Sequence, residues 1–175
     1  MKVKVIFYAS LLMLCSCVKE KETAIMVKNG FERAEQQLSA QLQNIPEPTE
    51  YPRTINKQGT LKTTKKNDWT EGFYPGCLWY VYEYNKSEDW KREAIKWTEA
   101  LKKLTNHHDI GFLMYCSFGN AYRLTGNEAY KEILVESARS LCTRFDEKTS
   151  AIKSWNYRKA WNGKDEWFYP VIIDN

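Results

Sequence analysis

Two stretches of this chain repeat one another about forty residues apart, and that repetition limits the folds open to it more than any other feature. Glu88, Trp90, Lys91 and Leu101 return forty positions on as Glu128, Tyr130, Lys131 and Leu141, and Gly72-Phe73 returns thirty-nine positions on as Gly111-Phe112. In each copy a nearly unbroken apolar run, residues 77–84 or 110–124, precedes a segment of mixed polarity. Trp90, Ala94, Trp97, Leu101 and Leu104 form a stripe at helical spacing in the first such segment, and Tyr130, Ile133, Leu134, Ala138, Leu141 and Phe145 form one in the second. The apolar runs therefore predict buried helices and the striped segments predict helices with one wet face. A two-helix unit of this size cannot close its own core, so its neighbours must complete it. Both helices of a solenoid unit usually keep a polar stripe, whereas the inner helix here is apolar almost all round. The expected fold class is all-α, with helical hairpins arranged as inner and outer helices of an (α/α) ring.

The flanking segments extend this scheme. Phe31, Leu38 and Leu42 predict a helix over residues 25–43, ended by Pro46, Pro48 and Pro52. A polar loop follows through residues 56–67, and a second long connection, residues 146–169, carries Trp155, Trp161 and Trp167. Connections of that length without secondary structure are often functional. By the repeat, residues 170–175 should begin a third inner helix, so the chain is expected to stop inside a structural unit.

The first residues read as a targeting segment. Lys2 and Lys4 precede the apolar run 5–14, which is too short to span a membrane, and Ser16 precedes Cys17. The order Leu14-Cys15-Ser16-Cys17 resembles a bacterial lipoprotein signal, in which the cysteine after the cut is lipidated. The expectation is a signal peptide over residues 1–16, a tether over 17–24 with Cys17 lipidated, and one domain over 25–175. Such a chain is exported to the periplasm or outer membrane and meets the membrane only through its lipid anchor. Cys77, Cys116 and Cys142 remain, an odd number without a CxxC pair, so neither a disulfide framework nor a zinc motif is indicated. Each is expected to pack as a small apolar side chain. Net charge is +4, but the basic residues are scattered, which argues against nucleic acid as a partner. Seven Trp and eleven Tyr either fill the core or offer flat faces to sugar rings.

The stretch TNHHDIGF, residues 105–112, holds both histidines with Asp109 directly after them. Ligands on a helix need a spacing of three or four to share a face, and adjacent histidines there point apart, so neither a metal nor another cofactor is expected. Asp109 stands at the start of the second inner helix, where it can act as an N-cap or serve chemistry; Phe112 in place of Glu or Gln rules out a capping box. The register puts Asp174 in the equivalent region of the third unit, unless it is simply an acid in a frayed tail. Inner helices packed about 8–10 Å apart would bring both carboxylates to one end of the ring. Two carboxylates in different environments suit acid and base work.

The strings DWTEGFYPGCLWYVYE, HHDIGFLMYCSFGNAYRLTGNEAY, AIKSW and FYPVIIDN, in this order, resemble the N-terminal half of the unsaturated glucuronyl hydrolases, glycoside hydrolase family 88. The resemblance implies a six-hairpin (α/α) barrel, here reduced to roughly its first half. It also implies an enzyme that removes 4,5-unsaturated uronic acid from the acidic oligosaccharides left by lyases acting on glycosaminoglycans. By this likeness Asp109 and Asp174 are the catalytic acids. Asp174 would protonate C4 of the enol ether and then serve as base for the water that adds at C5, with Asp109 beside it. His108 would contact the uronate, Trp69 and Phe73 would line the sugar site, and Trp155 and Asn156 would join from the later loop. Without the likeness, Trp69 and Phe73 at helical spacing read as core and His108 as a half-exposed polar residue. The family barrel needs about twice this length, so the chain alone is expected to have little or no activity. A non-catalytic glycan-binding lipoprotein and an unsaturated rhamnogalacturonyl hydrolase are the alternatives.

Overall fold

The structure is a computed structural model that describes the backbone of residues 2–64 and 67–172 and the side chains of 21–64 and 67–172. The chain divides into two units, residues 1–40 and residues 41–175. The first is most of a single helix, α1 (Lys2–Asn44), which contains the predicted 25–43 segment and continues toward residue 2. The side chain of Cys17 lies outside the described residues.

In the second unit, the predicted hairpin repeat is formed. Helix α2 (Phe73–Asn85) and helix α3 (Glu88–Glu99) make the first hairpin. A left-handed residue, Lys86 at φ 56°, stops α2 and returns its N–H to the Tyr82 carbonyl. Glu88 and Asp89 then occupy the first turn of α3, where the helix dipole favours acids. The second hairpin follows the same plan. Gly111–Gly119 forms π-helical turns that continue as α4 (Asn120–Thr125). Gly126 at φ 68° ends that segment, and the Asn127 side chain accepts the Ala129 N–H at the start of α5 (Glu128–Cys142). A wide π-helical turn was not foreseen by the periodicity; such turns often stand near functional sites.

The core lies between inner and outer helices. Leu78, Trp79, Trp97, Leu113 and Phe118 have no exposed surface, and the Trp79 indole donates to Thr98 Oγ1 at 2.9 Å, so its one polar atom is satisfied. Glycine sets the approach of the inner segments. A Cβ at Gly72 would collide with the carbonyl oxygens of Phe112 and Leu113, and one at Gly76 would lie 2.9 Å from the Cys116 carbonyl oxygen. Glu83 and Arg123, forty residues apart like the rest of the repeat, join the same segments through a two-pronged ion pair, with Nη2 to Oε2 at 2.6 Å.

Three expectations need correction. The connections are not structureless: β1 (Pro52–Ile55) pairs with β2 (Leu61–Thr63), β3 (Phe145–Asp146) with β4 (Ala151–Ile152), and β5 (Arg158–Lys159) with β6 (Glu166–Trp167), all antiparallel. In the first turn Asn56 Oδ1 accepts the N–H groups of Gln58 and Thr60, and Gly59 takes φ 78°, a local solution hidden inside a run read only as polar. Cys77 and Cys142 are exposed and Cys116 is half-buried, so they do not fill the core as small apolar groups. Residues 170–172 are not helical: Ser154 donates its N–H to the Pro170 carbonyl, and its hydroxyl accepts from Ile172 N–H. The rest of the predicted third helix, with Asp174, lies outside the described residues.

Candidate active site

Asp109 stands at the mouth of the second inner segment, 7% exposed. Its backbone carbonyl accepts the Phe112 N–H at 3.1 Å, but its carboxylate does not cap the helix. Instead His108 Nε2 lies 3.1 Å from Asp109 Oδ2, while Oδ1 is buried with no hydrogen-bond partner. An unmatched buried carboxylate oxygen is costly, and Asp109 is held in this state by the surrounding fold.

The two histidines are not on a helix, and this overturns the expectation that they point apart. They precede it in a turn, with rings stacked at 4.4 Å and 21°. One potential metal-ligand atom from each of His107, His108 and Asp109 lies within 4.8 Å of the others, and His107 Nδ1 already accepts the Asp109 N–H at 3.0 Å. Burial chiefly lowers the pKa of both imidazoles, opposed by the Asp109 carboxylate. Neutral rings are thereby favoured beside the acid.

Around this centre lies a cavity of about 460 Å³, walled by Asp68, Trp69, His108, Asp109, Trp155 and Arg158 among others. Trp69 and Phe73, at 39% and 37% exposure, are not core; with Phe112 they form a triangle of rings whose centroids are 5.5–5.9 Å apart. Trp155 meets His108 edge-on at 4.5 Å, and the Arg158 guanidinium lies over Trp155 at 4.6 Å. The Trp155 loop is tied to the histidine turn by Arg144, which donates to Ser154 O and Asn106 Oδ1. Below the rim, burial acts to raise the Asp68 pKa, but Thr70 N–H and hydroxyl bonds and the Arg53 cation together hold it below the usual range.

The structure thus brings Trp69, His108, Asp109 and Trp155 to one cavity, with Phe73 packed behind Trp69. Asn156 is exposed and does not line it. Asp174 lies outside the described residues. Asp68, Phe112, Arg144 and Arg158 were missed: only the fold brings them to the site, and the one available signal was the Gly72-Phe73/Gly111-Phe112 repeat, which makes Phe112 the counterpart of Phe73.

No family model matches the chain. An unsaturated glucuronyl hydrolase of Formosa agariphila is 41% identical over 130 residues, which are 71% of this chain and 31% of that protein. The chain belongs to the unsaturated glucuronyl hydrolase family. A crystal structure of an unsaturated glucuronyl hydrolase specific for heparin superposes with a TM-score of 0.71 at 39% identity, covering 82% of this chain and 38% of that one. A variant of the Streptococcus agalactiae unsaturated glucuronyl hydrolase, complexed with dGlcA-GalNAc6S, superposes with a TM-score of 0.61 at 31% identity, covering 69% and 33%. The two hairpins form part of the glucuronyl hydrolase fold, which is an (α/α) barrel, and the chain spans about a third of the length of the relatives it matches.

Proposed function

We propose that this glucuronyl hydrolase chain supplies the His108–Asp109 side of a site that removes 4,5-unsaturated uronic acid from acidic glycosaminoglycan oligosaccharides. The observation that carries the proposal is Asp109 itself: a buried carboxylate with one oxygen held by His108 and the other unmatched, in a cavity edged by tryptophans. In this reading a proton adds to C4 of the enol ether and water adds at C5. The resulting hemiketal opens to a ketone as the next sugar leaves with its hydroxyl. Asp174 is the proton donor and then the base for water. Asp109 accepts a hydrogen bond from the sugar or the water, and its charge opposes ionisation of a neighbouring acid. His108 contacts the uronate, and Trp69 supports the ring.

Export and lipidation at Cys17 belong to the same proposal and rest on the amino-terminal pattern alone. Among the described residues no helix is long and apolar enough to cross a membrane.

The test is incubation with an unsaturated chondroitin disaccharide, following both binding, by tryptophan emission, and loss of the ultraviolet absorbance of the double bond. Binding with turnover that disappears in Asp109→Asn supports hydration. Binding that Asp109→Asn leaves unchanged supports instead a glycan-binding role, which the exposed tryptophans favour as the second reading.

A further inference from the structure

The two inner segments meet along a seam in which residues of the repeat face their own counterparts. Phe73 meets Phe112, thirty-nine positions on, with ring centroids 5.5 Å apart, and further along Glu83 holds Arg123 with Oε2 2.6 Å from Nη2. Cys77 and Cys116 stand between these two contacts, about one turn beyond Phe73 and Phe112 and at the same offset of thirty-nine. The backbones are close here because position 76 is glycine. A Cβ on it would lie 3.6 Å from Cys116 Cβ, within the range that disulfides span, and the adjoining Cys77 is carried into reach of Cys116. Both cysteines line one cavity of about 970 Å³, and neither lines the Asp109 cavity.

The wide spacing of these two cysteines along the chain is thus the length of the repeat and no bar to their meeting in space. Cys142 has no such counterpart: the positions thirty-nine and forty before it are Lys103 and Lys102. Cys77 is exposed and Cys116 half-buried, so a reagent entering the cavity meets Cys77 first. The atoms packed round each thiol push its pKa above the ordinary 9.0, and at Cys116 the charge of Cys77 adds to the rise, as it does between sulfurs that lie near one another. Neither is a ready thiolate at neutral pH, so the pair suits a slowly formed structural bond and not catalysis.

We propose that Cys77 and Cys116 form a dithiol site that closes to a disulfide across the seam and fastens the two hairpins together. The oxidant is an external disulfide. The Cys77 thiolate attacks one sulfur of that reagent, releasing one thiolate and leaving a mixed disulfide on Cys77. The Cys116 thiolate then attacks the Cys77 sulfur and releases the second. Two electrons pass from the cysteine pair to the reagent, and the two cysteine protons end on the two thiols set free. The export proposed above would put the site where such bonds persist.

The full chain is incubated with oxidised glutathione in mildly alkaline buffer, and the linkages are read by non-reducing peptide mapping with mass spectrometry. A Cys77–Cys116 peptide pair should be the predominant linkage, the melting temperature should rise by about 5–10 °C, and reduction should reverse both. In urea the same reaction should scatter linkages over all the cysteines, which separates pairing directed by the fold from pairing by chance. Cys116→Ser should stop at the glutathione adduct on Cys77, whereas Cys142→Ser should pair as the wild type does. The wild-type map decides the matter even where a serine variant does not fold. Adducts on single cysteines alone, or a map in which Cys142 or a second chain supplies the partner, would overturn the site. A linked protein that melts no higher than the reduced one would overturn its fastening role.

Discussion

His108 Nε2 sits 3.1 Å from Asp109 Oδ2, and the second oxygen of that carboxylate is buried without a partner. One oxygen of the acid is therefore held by the histidine, and the other is enclosed without a partner. Asp109→Asn keeps the shape and removes the charge. Any turnover of an unsaturated disaccharide, expected to be small in a chain that spans about a third of its relatives, should fall by about 10²- to 10⁴-fold, with the melting temperature unchanged. A variant that keeps wild-type turnover would remove Asp109 from the chemistry.

The histidines should make stability depend on pH. Burial lowers both imidazole pKa values below their ordinary 6.5, so between the folded and unfolded values the unfolded chain binds more protons. The stabilisation is complete above about 6.5 and is lost as pH falls through that window. Melting temperatures taken from pH 8 to pH 5 should decline for the wild type and decline less for the double variant His107→Asn, His108→Asn. Equal slopes would show that these imidazoles are not shifted.

Glu71 should act in the opposite sense. It is 2% exposed, burial chiefly raises its pKa, and its carboxylate accepts from the Thr64 hydroxyl at 3.2 Å. A raised acid contributes stability below its unfolded pKa, and the contribution is lost as pH climbs through the folded value. Glu71→Gln should thus melt at the same temperature as the wild type or higher at neutral pH, and the difference should close as pH approaches 4.5. A variant that melts well below the wild type at pH 7 would contradict this.

Gly72 is the tightest point between the inner segments. Since a Cβ there meets two backbone carbonyls, the strain cannot be relieved by turning a side chain. Gly72→Ala should cost about 3 kcal/mol, near the top of the range for overpacking, measured by urea unfolding. It should also displace Phe112 and so disturb the Trp69–Phe73–Phe112 triangle, visible as altered tryptophan emission. An unperturbed alanine variant would show that the segments can separate freely.

Much of the fold was legible because it rests on local chemistry. Helical spacing of Trp90, Ala94 and Trp97 predicts which side of α3 is buried, and Ala94 and Trp97 are fully enclosed. The repeat predicts two hairpins of one design, with Lys86 and Gly126 as matching left-handed stops. The β-hairpins were hidden because each is held by a few side-chain-to-backbone bonds, such as those of Asn56, and by pairings only two to four residues long. The histidines were misjudged because helical geometry was applied to a turn.

By itself, then, the sequence determined the helical period, the repeat, the family and the acid at the head of the second inner helix, since these follow from residue types at fixed separations. Tertiary structure decided what that acid touches. The stacked histidines, the orphaned oxygen, Trp155 over His108 and Arg158 over Trp155 join residues up to about fifty positions apart. Such contacts depend on how two connections fold back over a helix end, and close approach in space leaves no spacing along the chain from which to read it.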